Sequence, residues 1–234
     1  MIAGLQKLTL LDFPGKVACT VFLGGCNYRC PFCHNAELFS GKPEAVMTEE
    51  EFLKFLATRK GLLEGVCVSG GEPTLTKDLP EFLKTIKDMG FAVKLDTNGS
   101  RPEILRQLMD EKLVDYVAMD VKNSPSMYGQ TVGVENFDIA PVEESLRLLL
   151  TGRTSYELRT TLVQQLHSEK SIEEMGKWLA SLSPGKMPEK LFLQRFVDRD
   201  TVVFAGLRAP EENEVARYAD ILKPYVQQIA VRGE

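Results

Sequence analysis

The sequence predicts an α/β fold built from six successive strand–helix units, an incomplete version of the eight-fold βα barrel. Short runs rich in β-branched and aromatic residues alternate along the chain with longer stretches of helical periodicity. Capping and stop signals bound these stretches, which supports the same division. A flat, doubly wound sheet is the structural alternative, because periodicity alone does not separate the two architectures.

Each unit has its own local signal. The two clearest helix starts are Ser/Thr-x-x-Glu capping boxes at Thr48–Glu51 and Ser171–Glu174. The whole chain, 1–234, is expected to form a single domain, with 183–190 as a loop between two units. The predicted strands are 17–23, 65–69, 91–97, 116–121, 155–163 and 191–196. The predicted helices begin at Thr48 and at Ser171, the latter running through Leu182, and otherwise span 77–90, 102–112, 141–150 and 210–222.

Composition narrows the class of protein. The 234 residues are 44% hydrophobic and 26% charged, which is typical of a globular protein. The formal charge of -5 argues against a large nucleic-acid surface, because phosphate binding depends on clustered Lys and Arg. No apolar run is long enough for a membrane helix, and Asp12 and Pro14 interrupt the first apolar segment before a signal peptide forms. We therefore expect a cytoplasmic protein with no nucleic-acid or membrane partner.

Three of the five cysteines lie close together directly after the first predicted strand. The stretch GGCNYRCPFCHN, residues 24–35, places Cys26, Cys30 and Cys33 in a CxxxCxxC spacing within a loop over 24–40. Iron-sulfur clusters are held by cysteine thiolates, and a cubane cluster usually takes four. Three thiolates leave one iron with an open coordination position, where a substrate or cofactor can bind.

A structural zinc site with His34 as fourth ligand is one alternative for these thiols, and inert buried cysteines are another. His34 directly follows Cys33, however, which is a poor spacing for one tetrahedral site. The other cysteines, Cys19 and Cys67, lie inside predicted strands and are expected to be core residues. The other histidine, His167, is expected to be an exposed loop or helix-start residue. The pattern as a whole favours an open-site iron-sulfur cluster.

Polar residues also follow the later strands, where the active site of a βα barrel forms. In the stretch 69–74, SGGEPT, two glycines expose the backbone and Glu72 places a carboxylate where a ligand's ammonium can be held; a plain glycine-rich turn is the simpler interpretation. Asp96 and Asp120 end the third and fourth strands, where they can also be solvated caps. Arg159 lies in the fifth strand and needs an anionic partner, which is a cofactor carboxylate, a catalytic carboxylate or a salt bridge at the strand end.

The CxxxCxxC spacing, with Phe32 before the third cysteine, resembles the signature of the radical S-adenosylmethionine (radical SAM) superfamily. The resemblance implies a partial (β/α)6 barrel of the radical SAM type, with a 4Fe-4S cluster on the three cysteines and S-adenosylmethionine (SAM) on the open iron. In that family the reduced cluster splits SAM into methionine and a 5′-deoxyadenosyl radical, which abstracts hydrogen from the substrate. No catalytic residue is expected beyond the cluster and the cofactor.

The residues after the later strands resemble matching positions in glycyl-radical-enzyme activases. Near the sixth strand, where the pyruvate formate-lyase activase pattern has a cofactor-contacting His, this chain departs from it with Phe196 and Val197. The resemblance implies contacts with SAM from Phe32, His34, Gly70, Gly71, Glu72, Lys122, Asn123 and Arg159. It also implies a monovalent cation beside the cofactor, held by Asp96, Thr97 and Asp120.

Residues 2–35 resemble the opening of anaerobic ribonucleoside-triphosphate reductase activating proteins, in a branch with LDFPGK before the first strand. This resemblance implies a protein substrate, the anaerobic ribonucleotide reductase, and hydrogen abstraction from one of its backbone glycines. Cys67 is the only cysteine in residues 36–68, and no cysteine follows it, so no auxiliary cluster is expected. A separate flavodoxin or ferredoxin would then deliver the electron.

Three alternatives to this function stay open. Within the activases, the substrate is pyruvate formate-lyase or another glycyl-radical enzyme. Among other radical SAM enzymes, it is a small molecule, as for the 7-carboxy-7-deazaguanine synthases. Outside the enzymes, the chain is an electron carrier, although a carrier normally protects its cluster with four cysteine ligands.

Overall fold

A computed structural model describes residues 1–40 and 45–232. None of the helices in these two ranges is long and apolar enough to cross a membrane. The strands of the described residues are β1 (Ile2–Thr9), β2 (Ala18–Leu23), β3 (Gly65–Gly70), β4 (Ala92–Thr97), β5 (Tyr116–Asp120), β6 (Ser155–Leu162), β7 (Lys190–Arg195) and β8 (Gln228–Arg232). Their α-helices are α1 (Glu37–Ser40), α2 (Glu49–Ala57), α3 (Leu79–Asp88), α4 (Pro102–Asp110), α5 (Pro125–Val132), α6 (Ala140–Leu150), α7 (Glu169–Ser181) and α8 (Glu212–Leu222).

The order of the strands decides between the two predicted architectures. The strands pair in chain order from β1 to β8. The pairs β2–β3, β3–β4, β6–β7 and β7–β8 are parallel, whereas β1 runs antiparallel to β2. A doubly wound sheet reverses its order at a switch point, and this sheet does not. The strands β2 to β7 and the helices after them are the six predicted units, so the α/β class is confirmed.

Besides the four-residue α1, the sequence patterns miss two strands and one helix. Strands β1 and β8 stand at the two ends of the strand order, and both are unevenly buried. Such strands lack the regular alternation by which a half-buried strand is identified. Helix α5 contains Gly129 and the β-branched Thr131 and Val132, whose intrinsic helix propensities are low. All three elements therefore have weak local signals.

The capping box predicted at Ser171–Glu174 is wrong by three residues, because helix α7 begins at Glu169 with Ser168 as its N-cap. The Ser168 hydroxyl accepts the Ser171 N–H, and the Ser171 hydroxyl accepts the Ser168 N–H. A serine at N3 thus fills the role that Glu or Gln usually has in this motif. The capping box at Thr48–Glu51 is confirmed.

The chain divides into two compact units. The first contains Met1–Asn27, Glu37–Ala118 and Arg153–Ser155. The second contains Tyr28–Ala36, Met119–Gly152 and the described residues from Tyr156 onward. A single domain over the whole chain stays a prediction.

We predict that Ser168→Ala lowers the free energy of unfolding by about 1 kcal/mol, because it removes the side chain that accepts an N–H at the start of α7. Ser183→Ala, in the loop after the same helix, is the matched control and should change that free energy by less than about 0.5 kcal/mol. Chemical denaturation followed by circular dichroism measures both. Equal losses in the two variants would contradict the assignment of the cap.

Candidate active site

Gly70, Gly71 and Glu72 form a turn at the end of β3, the Gly-Gly-Glu turn. In the first unit it holds the first residues of the cysteine loop, where the chain leaves β2; this segment is called the root of the loop. The Gly71 N–H donates to the Leu23 carbonyl at 2.9 Å. The Glu72 N–H donates to the Gly25 carbonyl at 2.7 Å. A Cβ at Gly71 would lie 2.0 Å from the Gly25 oxygen, and a Cβ at Gly70 would lie 2.3 Å from the Leu23 oxygen. Only glycine permits such close approach of two backbones, so Gly70 and Gly71 position the loop as well as exposing backbone.

Glu72 is 1% exposed, and its carboxylate joins the ends of β3 and β4. Its Oε1 accepts the Thr97 hydroxyl at 2.8 Å, and its Oε2 accepts the Asn98 N–H at 2.6 Å. The N–H and the hydroxyl of Thr74 also donate to Oε1. Burial raises the pKa of Glu72, and these hydrogen bonds oppose the rise. Glu72 therefore binds donors of the protein itself, and its contact with the amino group of SAM stays a prediction.

Cys30 and Cys33 share one tight turn in the second unit. The Cys33 N–H donates to the Cys30 carbonyl at 3.2 Å, and Phe32 between them is buried. Burial raises the pKa of the Cys33 thiol, while a backbone hydrogen bond from Asn35 and the charge of Lys122 lower it. The positive charge of a bound metal would favour the thiolate, because metal binding displaces the thiol proton.

Cys26 belongs to the first unit, where it follows the glycines held by the Gly-Gly-Glu turn. Within residues 1–40 and 45–232, no three His, Cys, Asp or Glu side chains are arranged to hold a metal ion. As a donor set, however, three thiols suit an iron-sulfur cluster better than any harder metal. The assignment of Cys26, Cys30 and Cys33 as cluster ligands rests on their spacing and stays a prediction.

His34 binds the backbone of the loop that follows β7. Its Nε2 lies 2.7 Å from the Val197 carbonyl oxygen, and its ring centroid lies 5.9 Å from that of Phe196. A hydrogen bond to a backbone carbonyl is a common contact of a histidine beside a metal centre. The two residues that depart from the activase pattern near the sixth strand, Phe196 and Val197, are thus the partners of His34 here. A direct contact between His34 and SAM stays a prediction.

Asp120 at the end of β5 lies between two cations. Its Oδ1 is 2.9 Å from Arg159 Nε, and its Oδ2 is 2.8 Å from Lys122 Nζ. Burial alone would raise the pKa of Asp120, but Arg159 and Lys122 outweigh burial and lower the pKa to about 2. Burial would likewise lower the pKa of Lys122, and the charges of Asp120 and Cys30 raise it instead. The anionic partner expected for Arg159 is therefore Asp120, and all three side chains are charged at neutral pH.

Asn123 is fully buried and supports the backbone around it. Its amide nitrogen donates to the Thr131 hydroxyl at 3.0 Å and to the Leu166 carbonyl at 2.8 Å. Its amide oxygen accepts the Ser124 N–H at 2.8 Å. A contact with SAM would require one of these hydrogen bonds to be exchanged. The predicted contact of Asn123 with SAM therefore competes with its bonds inside the protein.

His167 is buried, so the expectation that it is exposed is wrong. Its Nε2 lies 3.0 Å from the Lys122 carbonyl oxygen, and its Nδ1 lies 3.1 Å from the Val163 nitrogen. Because Nε2 faces a carbonyl, the ring proton belongs on Nε2, and Nδ1 accepts the Val163 N–H. Burial lowers the pKa of His167, which keeps the ring neutral. His167 thereby fixes the backbone of Lys122 to the segment that follows β6, a contact that no local sequence signal announces.

The three residues predicted to hold a monovalent cation are all bonded to protein groups. Asp120 has the two cationic partners given above. Asp96 accepts the ammonium of Lys94, and the Thr97 hydroxyl donates to Glu72. A further cation at either carboxylate would lie close to a like charge, which is unfavourable. The monovalent-cation site stays a prediction.

The sheet wound in chain order, with a cysteine loop after its first parallel strand, defines an α/β protein with its candidate site at the carboxyl ends of the strands. The model of the Radical SAM superfamily matches residues 20–151, more than half of the chain. The chain therefore belongs to the radical SAM superfamily. Membership implies a 4Fe-4S cluster and SAM as cofactors.

Two relatives and one solved structure are similar to this chain. The chain is 32% identical over 240 residues to a protein of Methanocaldococcus jannaschii named as a glycyl-radical enzyme activating enzyme, a match that covers 99% of this chain and 95% of that protein. It is also 32% identical over 127 residues to the pyruvate formate-lyase-activating enzyme of Clostridium pasteurianum. That match covers 52% of this chain and 52% of that enzyme.

The solved structure is a domain of the pyruvate-formate lyase-activating enzyme from Bacteroides vulgatus. It is 24% identical in sequence, with a TM-score of 0.58, and the match covers 72% of this chain and 99% of that chain. This likeness confirms the predicted fold of the radical SAM type, a partial (β/α)6 barrel.

We predict that Gly71→Ala displaces the root of the cysteine loop, because the added Cβ would overlap the Gly25 oxygen. The variant should unfold at a lower temperature and bind less iron after anaerobic reconstitution, as measured by thermal denaturation and by iron and sulfide analysis. Gly90→Ala is the matched control, since a Cβ there meets no atom within 4 Å and costs only about 1 kcal/mol for its positive φ. A full complement of iron in Gly71→Ala would refute this anchoring role.

We predict that His167→Gln flattens the dependence of stability on pH between 7 and 5. A histidine whose folded pKa is lowered binds its proton more readily in the unfolded chain, so stability falls as the pH drops below about 6.5, by up to about 1.4 kcal/mol per pH unit. Glutamine keeps one acceptor and one donor but has no proton to gain. Melting temperatures across this range measure the effect, with His34→Gln as control. If the stability of His167→Gln depends on pH as strongly as that of the wild type, the assignment of His167 as a buried, neutral side chain is contradicted.

Proposed function

We propose that this chain activates an anaerobic ribonucleoside-triphosphate reductase by abstracting hydrogen from a backbone glycine of that enzyme. The observation that carries the proposal is the whole-length similarity to a protein named as a glycyl-radical enzyme activating enzyme. The choice of the reductase rests on residues 2–35, which resemble the opening of its activating proteins. The protein acts as a single radical SAM domain over 1–234, in the cytoplasm.

The residues proposed to bind the cofactors lie in the cysteine loop and after the strands. Cys26, Cys30 and Cys33 hold the 4Fe-4S cluster, and the cluster and SAM together supply the hydrogen-abstracting chemistry when bound. Lys122 meets the carboxylate of SAM. An ammonium has three N–H donors, so Lys122 retains donors for that carboxylate beyond its bond to Asp120. The bond from His167 to the backbone of Lys122 holds this residue in place.

The reaction needs one electron and two protein partners. The C–H bond of the glycine is broken, its hydrogen leaves in 5′-deoxyadenosine, methionine is released, and the glycine keeps an unpaired electron. The electron that cleaves SAM comes from a flavodoxin or ferredoxin, because the sequence has no cysteines for a second cluster. The reductase supplies the glycine.

Activation of pyruvate formate-lyase is the second candidate, favoured by the similarity to the Clostridium pasteurianum activating enzyme. That match covers about half of each chain, whereas the match to the Methanocaldococcus jannaschii protein covers nearly all of both. Shared cofactor machinery accounts for a partial match, since a common fold serves many substrates.

The test is an anaerobic activation assay with two substrate proteins. We predict a glycyl-radical EPR doublet when the reconstituted, reduced chain and SAM are mixed with the ribonucleotide reductase, and collapse of the doublet when the reductase carries deuterated glycine. Cys30→Ala should abolish the signal, and Cys19→Ala, a buried cysteine of β2, should keep it. A signal with pyruvate formate-lyase but not with the ribonucleotide reductase would transfer the function to the second candidate. No signal with either protein contradicts the proposal.

A further inference from the structure

A lysine is buried in the strand that leads to Asp96. Lys94 lies on β4 and is 2% exposed, although lysine is almost never fully buried without a partner. Its ammonium donates to Asp96 Oδ1, two residues further along the same strand. Residues at i and i+2 of a strand point to the same face, so the strand itself brings the two side chains together.

The neighbouring strand provides further contacts of this pair. Cys67 of β3 is the register partner of Lys94, and its Sγ lies 3.8 Å from Lys94 Nζ. Asp96 Oδ2 accepts the hydroxyl of Ser69, also on β3, at 3.0 Å. Both carboxylate oxygens of Asp96 are thus bonded, one to a cation and one to a hydroxyl. The carboxylate in turn favours the charged form of the buried lysine.

Burial makes this pair depend on both of its members. Removing one partner of a buried ion pair leaves the other charge without compensation in a poorly solvated place, which is strongly destabilising. The negative charge of Asp96 therefore needs a positive charge beside it, whether from the protein or from solution. The side chain of Asp96 is only 15% exposed, so water replaces that charge poorly.

We propose that the ammonium of Lys94 supplies, beside Asp96, the positive charge that the activase resemblance assigns to a monovalent cation. An ammonium carries the same single charge as Na⁺ or K⁺ in a compact group with three donors. Because it is attached to β4, it stays at the carboxylate at any salt concentration, whereas a free ion occupies a site only according to its concentration. The chain consequently folds and cleaves SAM without Na⁺ or K⁺.

This inference concerns the site of the proposed function and rests on it only for the cleavage of SAM. The first experiment uses the wild-type chain, dialysed free of alkali ions, in Na⁺, K⁺ or tetramethylammonium chloride at equal ionic strength. We expect the same melting temperature of the cluster-free protein and the same rate of methionine release from SAM by the reconstituted enzyme in all three salts. A saturable increase of either quantity with Na⁺ or K⁺ overturns the inference.

The second experiment creates the cation site. Lys94→Met keeps an unbranched side chain but removes the charge, and in tetramethylammonium chloride its melting temperature should fall by roughly 10 °C. Na⁺ or K⁺ should recover part of this loss in a saturable way, because the Asp96 carboxylate then binds a free ion. A folded Lys94→Met variant that does not respond to either ion contradicts the inference.

The matched control is the double variant Lys94→Met/Asp96→Asn, which lacks the carboxylate and should show no response to Na⁺ or K⁺. An equal response in this double variant would place the bound ion elsewhere and overturn the inference. If Lys94→Met does not fold, the wild-type comparison still decides the matter. Melting temperatures of the cluster-free protein do not depend on the protein substrate, so failure of the proposed activation is distinguishable from failure of this inference.

Discussion

The carboxylate of Glu72 lies buried where the ends of β3 and β4 meet, and the segments of the first unit around it depend on it. It binds the Thr97 hydroxyl and the Asn98 N–H, so it fixes the turn after β4. The backbone N–H of the same residue binds the Gly25 carbonyl at the root of the cysteine loop. One residue thereby sets the position of two segments that are far apart in the sequence. A buried acceptor with this many donors tolerates little movement, because each lost bond leaves a buried polar group unsatisfied.

Both units contain buried or partly buried charges that lie beside opposite charges. Lys94 and Asp96 form such a pair on β4 in the first unit. In the second unit, Asp120 holds Lys122 and Arg159 together at the end of β5. Ion pairs of this kind contribute little net stability over apolar packing, but they are strongly destabilising when half of the pair is removed. Their role here is positional, since each carboxylate fixes where its ammonium partner lies.

Much of the fold and the cysteine motif could be predicted because their signals are local. The spacing of Cys26, Cys30 and Cys33 and the two glycines before Glu72 are visible in short stretches of sequence. The start of α7 was misplaced because Ser171 replaces the acidic residue that the usual capping pattern requires. The sequence thus predicts helix α7 itself correctly and misses only its first residues.

The partners of charged and polar side chains were harder to predict. The burial of His167 depends on the Lys122 carbonyl, which is 45 residues away in the sequence. The partner of Lys94 is only two residues away, yet a Lys-x-Asp pattern on a strand is equally compatible with two solvated side chains. The structure shows that Lys94 is buried beside Cys67 of β3. Long-range packing, which has no period in the sequence, decides these contacts.

The central claim is that three cysteines hold a cluster whose fourth iron is reserved for SAM. The most direct measurement is product analysis after the anaerobically reconstituted chain is reduced in the presence of SAM and no protein substrate. The account predicts 5′-deoxyadenosine and methionine in equal amounts, with the hydrogen that 5′-deoxyadenosine gains taken from a C–H bond of the buffer or the protein in place of the glycine. A chain that takes up and returns electrons through its cluster but forms no 5′-deoxyadenosine would be an electron carrier, and that result would contradict the account.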